Sequence, residues 1–208
     1  MRTIISTKGL TLIAILFHLI GLIGIGVFHI DMINRATPIH LLLMFLLLSI
    51  SFADTWKAYY LWMPIILIIG FGVEWIGVHK GWLFGSYSYT NVLGWKWQDI
   101  PVLISCNWVI IVCGAIALSS LLTENKYLNS IVAATVATAA DWALEPVALK
   151  LNYWHWTGGH IPQLNYICWW AISFVLALVW HLFKNQYNQF AVNLFIIQIM
   201  FFAFLQII

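Results

Sequence analysis

The chain has 208 residues, 63% of them hydrophobic and 8% charged, with a formal net charge of +2. Soluble domains carry about 25% charged residues, so this composition describes an integral membrane protein. The small net charge and the lack of any basic run exclude nucleic acid as a partner.

A membrane-spanning helix needs roughly 20 mainly apolar residues, and seven candidate segments follow one another along the chain. The first covers about 10–28. It follows Arg2 and Lys8 as in a signal peptide, but has no clear small-residue cleavage site, and is read as a retained helix. The second, about 38–53, opens at Thr37-Pro38, a capping residue followed by proline at the first helical position. The third, about 58–78, contains Pro64. The remaining four cover about 101–122, 128–149, 163–183 and 189–208. The expected fold is all-α, a single integral domain over residues 1–208 built as a polytopic transmembrane bundle of about seven spans. Cys106, Cys113 and Cys168 all lie in apolar segments and form no disulfide framework. With the N-terminus inside, Arg2, Lys8, Lys57, Lys126 and Lys184 face the cytoplasm, and Arg35, Lys80, Lys96 and Lys150 face out. Five against four is a weak orienting bias.

Spans three and five run in the same direction. Glu74 near the end of one, and Asp141 and Glu145 near the end of the other, therefore approach the same membrane face. The two long aromatic linkers, 79–100 and 150–162, close over that face. The two halves echo each other. Glu74 is followed by Tyr87 and Tyr89, Trp95 and Trp97, Ile100-Pro101, and Asn107-Trp108. Asp141 is followed by Tyr153, Trp154 and Trp156, Ile161-Pro162, Asn165-Tyr166 and Trp169-Trp170. The order acid, aromatic linker, Ile-Pro, asparagine is common to residues 70–110 and 137–172. With unequal spacings, it reads either as a diverged duplication or as coincidence.

An ionisable residue inside a span costs on the order of 3 kcal/mol on insertion scales, so three acids in two spans ask for a reason. Asp141 and Glu145, four apart, share one helix face, and Pro146 is expected to kink or end that helix. A protonated carboxyl in an apolar pocket can serve as a general acid. The plain alternative is that the three acids are solvated at the interface or paired with Lys80 or Lys150. The aromatics have two readings as well. Trp56, Tyr59, Tyr60 and Trp62 suit an interfacial belt. The dense runs at 82–97 and 153–170 suit either that belt or a cavity for a large apolar ligand or a cation. His79, His155 and His160 show no metal-ligand spacing. Gly77, Gly81 and Gly85 read either as a helix-packing series or as turn residues. Phosphate loops, dinucleotide fingerprints and nucleophile elbows are absent from the sequence, and the last span carries no lysine for a retinal Schiff base.

The run Glu74-Trp-Ile-Gly77, Gly81-x-x-Phe-Gly85-x-Tyr87-x-Tyr89, Ile100-Pro101 and Asn107-Trp108 resembles the first signature of the CruF-like carotenoid biosynthesis family. Asp141-Trp-Ala-Leu-Glu145-Pro146, Tyr153-Trp154-x-Trp156, Ile161-Pro162-x-x-Asn165-Tyr166 and Trp169 resemble the second, and Gly158 and Gly159 fit its glycine near Ile-Pro. The resemblance covers roughly 70–170, and outside it only the hydropathy is similar. It implies a membrane hydro-lyase that adds water to the terminal double bond of an acyclic ψ end of a carotenoid, without a cofactor. It further implies the cytoplasmic membrane of a prokaryote as location, and the bilayer and other carotenoid-pathway enzymes as surroundings. The chemistry needs a desolvated acid to protonate the alkene, aromatic faces and a carboxylate to stabilise the tertiary cation, and a held water to add. Asp141 is the expected proton donor, with Glu145 or Glu74 as its partner and base. Asn107 and Asn165 are expected to hold water, and Tyr87, Tyr89, Trp108 and Trp154 to form the walls. The rivals are a lycopene-type cyclase, in which an internal alkene captures the cation, and a non-enzymatic carotenoid-binding or transport protein. A polyprenyl transferase would need aspartate-rich metal motifs, of which Asp141-x-x-x-Glu145 is at best half of one.

Overall fold

A chain in hydrocarbon must satisfy its backbone hydrogen bonds internally, and helices do so within one segment. The computed structural model describes residues 6–53, 56–183 and 187–208, which are predominantly helical. Arg2 and Lys184, and the side chains of Trp56 and Lys57, lie outside the described residues. Helix α1 (Thr7–Gly21) is capped by Ser6, whose side chain accepts from Gly9 N, and continues as a π-helical stretch over Leu22–Val27. The short α2 (Asp31–Arg35) and then α3 (Thr37–Ser51) follow. After them come α4 (Trp56–Lys80), α5 (Ile104–Ser119), α6 (Lys126–Lys150), α7 (Gln163–Trp180) and α8 (Gln189–Ile207).

Among the described residues, five helical segments are long and apolar enough to cross a membrane, namely Thr7–Val27, Ala58–Lys80, Lys126–Lys150, Gln163–Trp180 and Gln189–Ile207. The other two expected spans are apolar helices of 15 and 16 residues, α3 and α5. At 1.5 Å per residue each is about 23–24 Å long, short of the roughly 30 Å hydrocarbon core. The expected fourth span, 101–122, loses its ends for visible reasons. Ile100-Pro101 forms strand β3, paired with Lys96-Trp97 (β2), and the chain turns out of the helix at Ser120. What α5 lacks in length it makes up in burial. Fourteen of its 16 residues are buried, and it packs against α3, α4, α6, α7 and α8. A helix apolar on every side belongs at the centre of a bundle.

Two local expectations change. Ala36, not Thr37, is the cap of α3. The Thr37 hydroxyl instead donates to Asn34 O at 2.6 Å and meets the Tyr153 hydroxyl at 3.0 Å, tying α3 to the second linker. Pro146 does not end α6, which runs on to Lys150, and Gln206 Nε2 of α8 donates to Ala143 O at 2.5 Å in the turn before the proline.

The aromatic linkers find each other. Tyr87–Tyr89 (β1) pairs antiparallel with Trp154–Trp156 (β4), in the register Tyr87 with Trp156, Ser88 with His155 and Tyr89 with Trp154. The ladder extends through Thr157 N to Ser86 O at 2.8 Å and Thr90 N to Tyr153 O at 3.0 Å. Gly81 (φ +64°) and Gly85 (φ +113°) make the turns that lead into β1. At Gly85 an added Cβ would also lie 2.7 Å from Pro162 Cγ, so the first linker packs directly on the second. The turn reading therefore holds for these two glycines.

Candidate functional site

Alternation along a strand sends every second side chain to one face. In this two-stranded lid, Tyr87, Tyr89, Trp154 and Trp156 point inward while Ser88 and His155 are exposed. Beneath it lie the three acids from α4 and α6, at 5% (Glu74), 4% (Asp141) and 2% (Glu145) exposure. None is solvated at the interface and none pairs with Lys80 or Lys150. Among the described residues the ion pair is the exposed Arg35–Asp31 at 2.6 Å.

Each acid is held by neutral donors. Glu74 Oε2 accepts from Tyr87 Oη at 2.5 Å and Tyr89 Oη at 2.8 Å, and Oε1 accepts from Trp108 Nε1 at 2.9 Å. Glu145 Oε2 accepts from Trp156 Nε1 at 2.9 Å and Trp154 Nε1 at 3.2 Å, and Oε1 from Asn165 Nδ2 at 3.4 Å. Asp141 Oδ2 accepts from the same Asn165 amide at 2.7 Å. One asparagine thus bridges the two acids of α6. Burial first, and then the neighbouring Glu74, pushes the Tyr87 and Tyr89 hydroxyls well above the ordinary phenol range, so both remain donors at any working pH.

Small residues on α4 make the reach possible. Gly70 and Gly77 lie four before and three after Glu74, on its own helix face. A Cβ on Gly70 would lie 2.9 Å from Trp108 Cγ, and one on Gly77 would lie 2.6 Å from Tyr87 Oη. Both glycines admit a ring that bonds to Glu74. Gly77→Ala is expected to push the Tyr87 hydroxyl off Glu74 and to destabilise the protein by about 1–3 kcal/mol, as overpacking does. Thermal unfolding in detergent measures it. The penalty should shrink in a Tyr87→Phe background, and an equal loss in both backgrounds would contradict this account.

The acids enclose a chamber of about 30 Å³ lined also by Phe84, Ile104, Asn107, Leu144 and Trp169. That is room for about one or two waters. All the expected site residues lie around it: Asp141, Glu145, Glu74, Asn107, Asn165, Tyr87, Tyr89 and Trp154 line it, and Trp108 bonds to Glu74 from behind. Trp108 stacks on Trp169 with ring centres 3.9 Å apart. Asn107 is half-buried and lines both this chamber and a larger apolar cavity of about 250 Å³, which also shares Ile104, Leu144 and Trp154 with it.

Sequence reasoning missed Trp156, Trp169 and Phe84 as parts of the site. Trp156 was within reach, since it stands two residues after Trp154 and so on the same strand face. Trp95 and Trp97, which figured in the internal echo, are 75% and 56% exposed and lie apart from the chamber.

A sequence model of the family described as "Carotenoid biosynthesis protein" matches residues 35–208. The bisanhydrobacterioruberin hydratase of Haloarcula japonica is 28% identical over 112 residues. That match covers 50% of this chain and 38% of the relative, so the chain aligns with well under half of that protein's length. No solved structure matches.

Proposed function

The chain belongs to the family of carotenoid biosynthesis proteins, and from that premise we propose that it hydrates the terminal double bond of an acyclic ψ end of a carotenoid. The observation that carries this reading is three buried carboxyls, with aromatic and amide partners and no cationic side chain among the described residues lining the site, around a chamber for about one or two waters. A site open to bulk water would quench a carbocation indiscriminately, and the burial of this chamber excludes it.

Donors to a carboxylate stabilise its charged form. Glu74 and Glu145 each accept three hydrogen bonds and Asp141 one. Asp141 is therefore assigned the transferable proton. It protonates the less substituted alkene carbon, leaving a tertiary cation faced by the rings of Tyr87, Tyr89, Trp154 and Trp156 and by the Glu74 carboxylate. A water held at Asn107 and Asn165 adds to the cation, and its proton passes to Glu145. Return of that proton to Asp141 across the shared chamber closes the cycle, so alkene and water give a tertiary alcohol with no net proton change. No cofactor enters this scheme. The rest of the polyene extends from Asn107 and Leu144 into the larger apolar cavity.

The test is pigment analysis by chromatography and mass spectrometry after expression in a host that makes lycopene or γ-carotene. A product heavier by one water is expected. A product of unchanged mass with altered absorption would sink hydration in favour of cyclisation. The proposal places the protein in the cytoplasmic membrane of a prokaryote, beside the enzymes that supply its carotenoid.

We also propose that residues 70–110 and 137–172 are diverged copies of one unit. In support, the donors stay within each half: Tyr87, Tyr89 and Trp108 bond to Glu74, while Asn165 bonds to Asp141, the counterpart of Glu74 in the shared order, and with Trp154 and Trp156 to Glu145 one turn further on. The β1–β4 pairing is antiparallel, as an approximate two-fold axis between the copies requires.

A further inference from the structure

The larger cavity has walls from α1, α3, α5, α6 and α8, and its rim carries Phe17, Ile20 and Ile39, apolar side chains 39%, 47% and 72% exposed. On a membrane protein such a rim faces lipid, so the cavity opens to the bilayer. Its lining contains no Asp, Glu, Lys or Arg. Charged ligands are therefore excluded, because a lone charge in so apolar a space would be left unpaired.

The lining does contain His18, His40 and Gln198. Gln198 is 7% exposed, and its Oε1 is buried without a hydrogen-bond partner among the described residues. Buried amide oxygens are nearly always paired, so this one points to a donor that the fold itself does not supply. His18 sits beside the same space. Its Nδ1 lies 2.7 Å from Ala14 O and must carry the proton to bond there, which leaves Nε2 as an acceptor. The ring of His18 meets His40 edge-on with centres 4.5 Å apart, and Phe201 packs on both imidazoles at 5.4 and 6.4 Å. The arrangement is a small patch rich in acceptors, set in an otherwise apolar wall.

We propose that Gln198, with the His18–His40 pair, is a subsite that reads a hydroxyl carried by a neutral polyene chain lying in this cavity. A hydroxyl donates to Gln198 Oε1 or His18 Nε2 and has lone pairs left for His40 or the Gln198 amide. A ketone or an ether has no proton for the unpaired oxygen. The subsite rests on the hydration reading only for the identity of the chain as a carotenoid. The recognition of a hydroxyl stands on the cavity alone.

The test uses the full chain in detergent and two probes, a linear tetraene alcohol and its methyl ether, read by energy transfer from tryptophan to the bound polyene. Trp154 lines the cavity and serves as donor. The expected result is a preference of about tenfold for the alcohol, as one net hydrogen bond to a desolvated acceptor gives. Gln198→Met, which keeps the volume and removes the acceptor, should bind both probes alike, and His40→Leu should weaken the preference. No preference in the unaltered chain, a preference that persists in Gln198→Met, or no energy transfer from either probe would overturn the subsite. Asp141→Asn should select the alcohol as the unaltered chain does. A chain that selects the alcohol yet makes no hydrated pigment would refute the proposed reaction and leave the subsite standing.

Discussion

Asp141→Asn is expected to keep the fold and to lower the hydrated product by a factor of about 10²–10⁴, the range that a positioned general acid supplies. The two side chains are isosteric. Asn165 Nδ2 now donates to Asp141 Oδ2 at 2.7 Å, and the amide oxygen of the introduced asparagine can accept the same bond. Stability should therefore change little, and what disappears is the transferable proton. Pigments are quantified by mass spectrometry against the amount of folded protein in the same membranes. Full hydration in this variant would remove Asp141 from the mechanism and shift the assignment to Glu145. Loss of product together with loss of folded protein would show a structural role instead, and Asp141→Glu, which restores a carboxyl, would then recover neither.

Glu74→Leu is expected to be the most destabilising of the substitutions considered. It leaves Tyr87 Oη, Tyr89 Oη and Trp108 Nε1 without the acceptor that all three now share. An orphaned buried donor costs about 1–3 kcal/mol, so three of them cost on the order of 3 kcal/mol or more, a large part of the margin by which proteins fold. Thermal unfolding in detergent should show a drop of many degrees. Glu74→Gln, which keeps one carbonyl oxygen, should lose less. Removing donors together with the acceptor should help: Glu74→Leu with Tyr87→Phe and Tyr89→Phe should be more stable than Glu74→Leu alone, a coupling that only contacting residues produce. An unchanged melting temperature in Glu74→Leu would mean that this hub contributes nothing.

The two outcomes separate roles that composition alone merges. All three acids looked alike as charged residues at the ends of apolar runs. Their hydrogen-bond partners divide them, with Glu74 and Glu145 clamped by three donors each and Asp141 held by one amide.

The apolar segments were legible because a lipid environment forces long, uninterrupted apolar runs. The expected 128–149 and 163–183 correspond closely to Lys126–Lys150 and Gln163–Trp180. The expected 101–122 holds an apolar helix but is shortened at both ends to Ile104–Ser119, because hydropathy does not mark where an apolar strand or turn gives way to an apolar helix. Ile100-Pro101 belongs to the strand, and α5 is short and central. The shared face of the acids was legible too, from helix direction and from the four-residue spacing of Asp141 and Glu145.

What sequence alone determined, then, is the membrane class, the places of the apolar segments and the clustering of Glu74, Asp141 and Glu145 towards one face, all of which follow from local composition and periodicity. Only the tertiary structure decided which donor each acid receives, that the two aromatic linkers pair as Tyr87–Tyr89 with Trp154–Trp156, and that the acid chamber borders a cavity containing Gln198. The physical reason is that these are contacts between segments far apart in the chain. Alternation fixes which face a strand presents, but its partner is chosen by the packing of α5 against α6 and α7 and of α4 against α7, which brings the two linkers together.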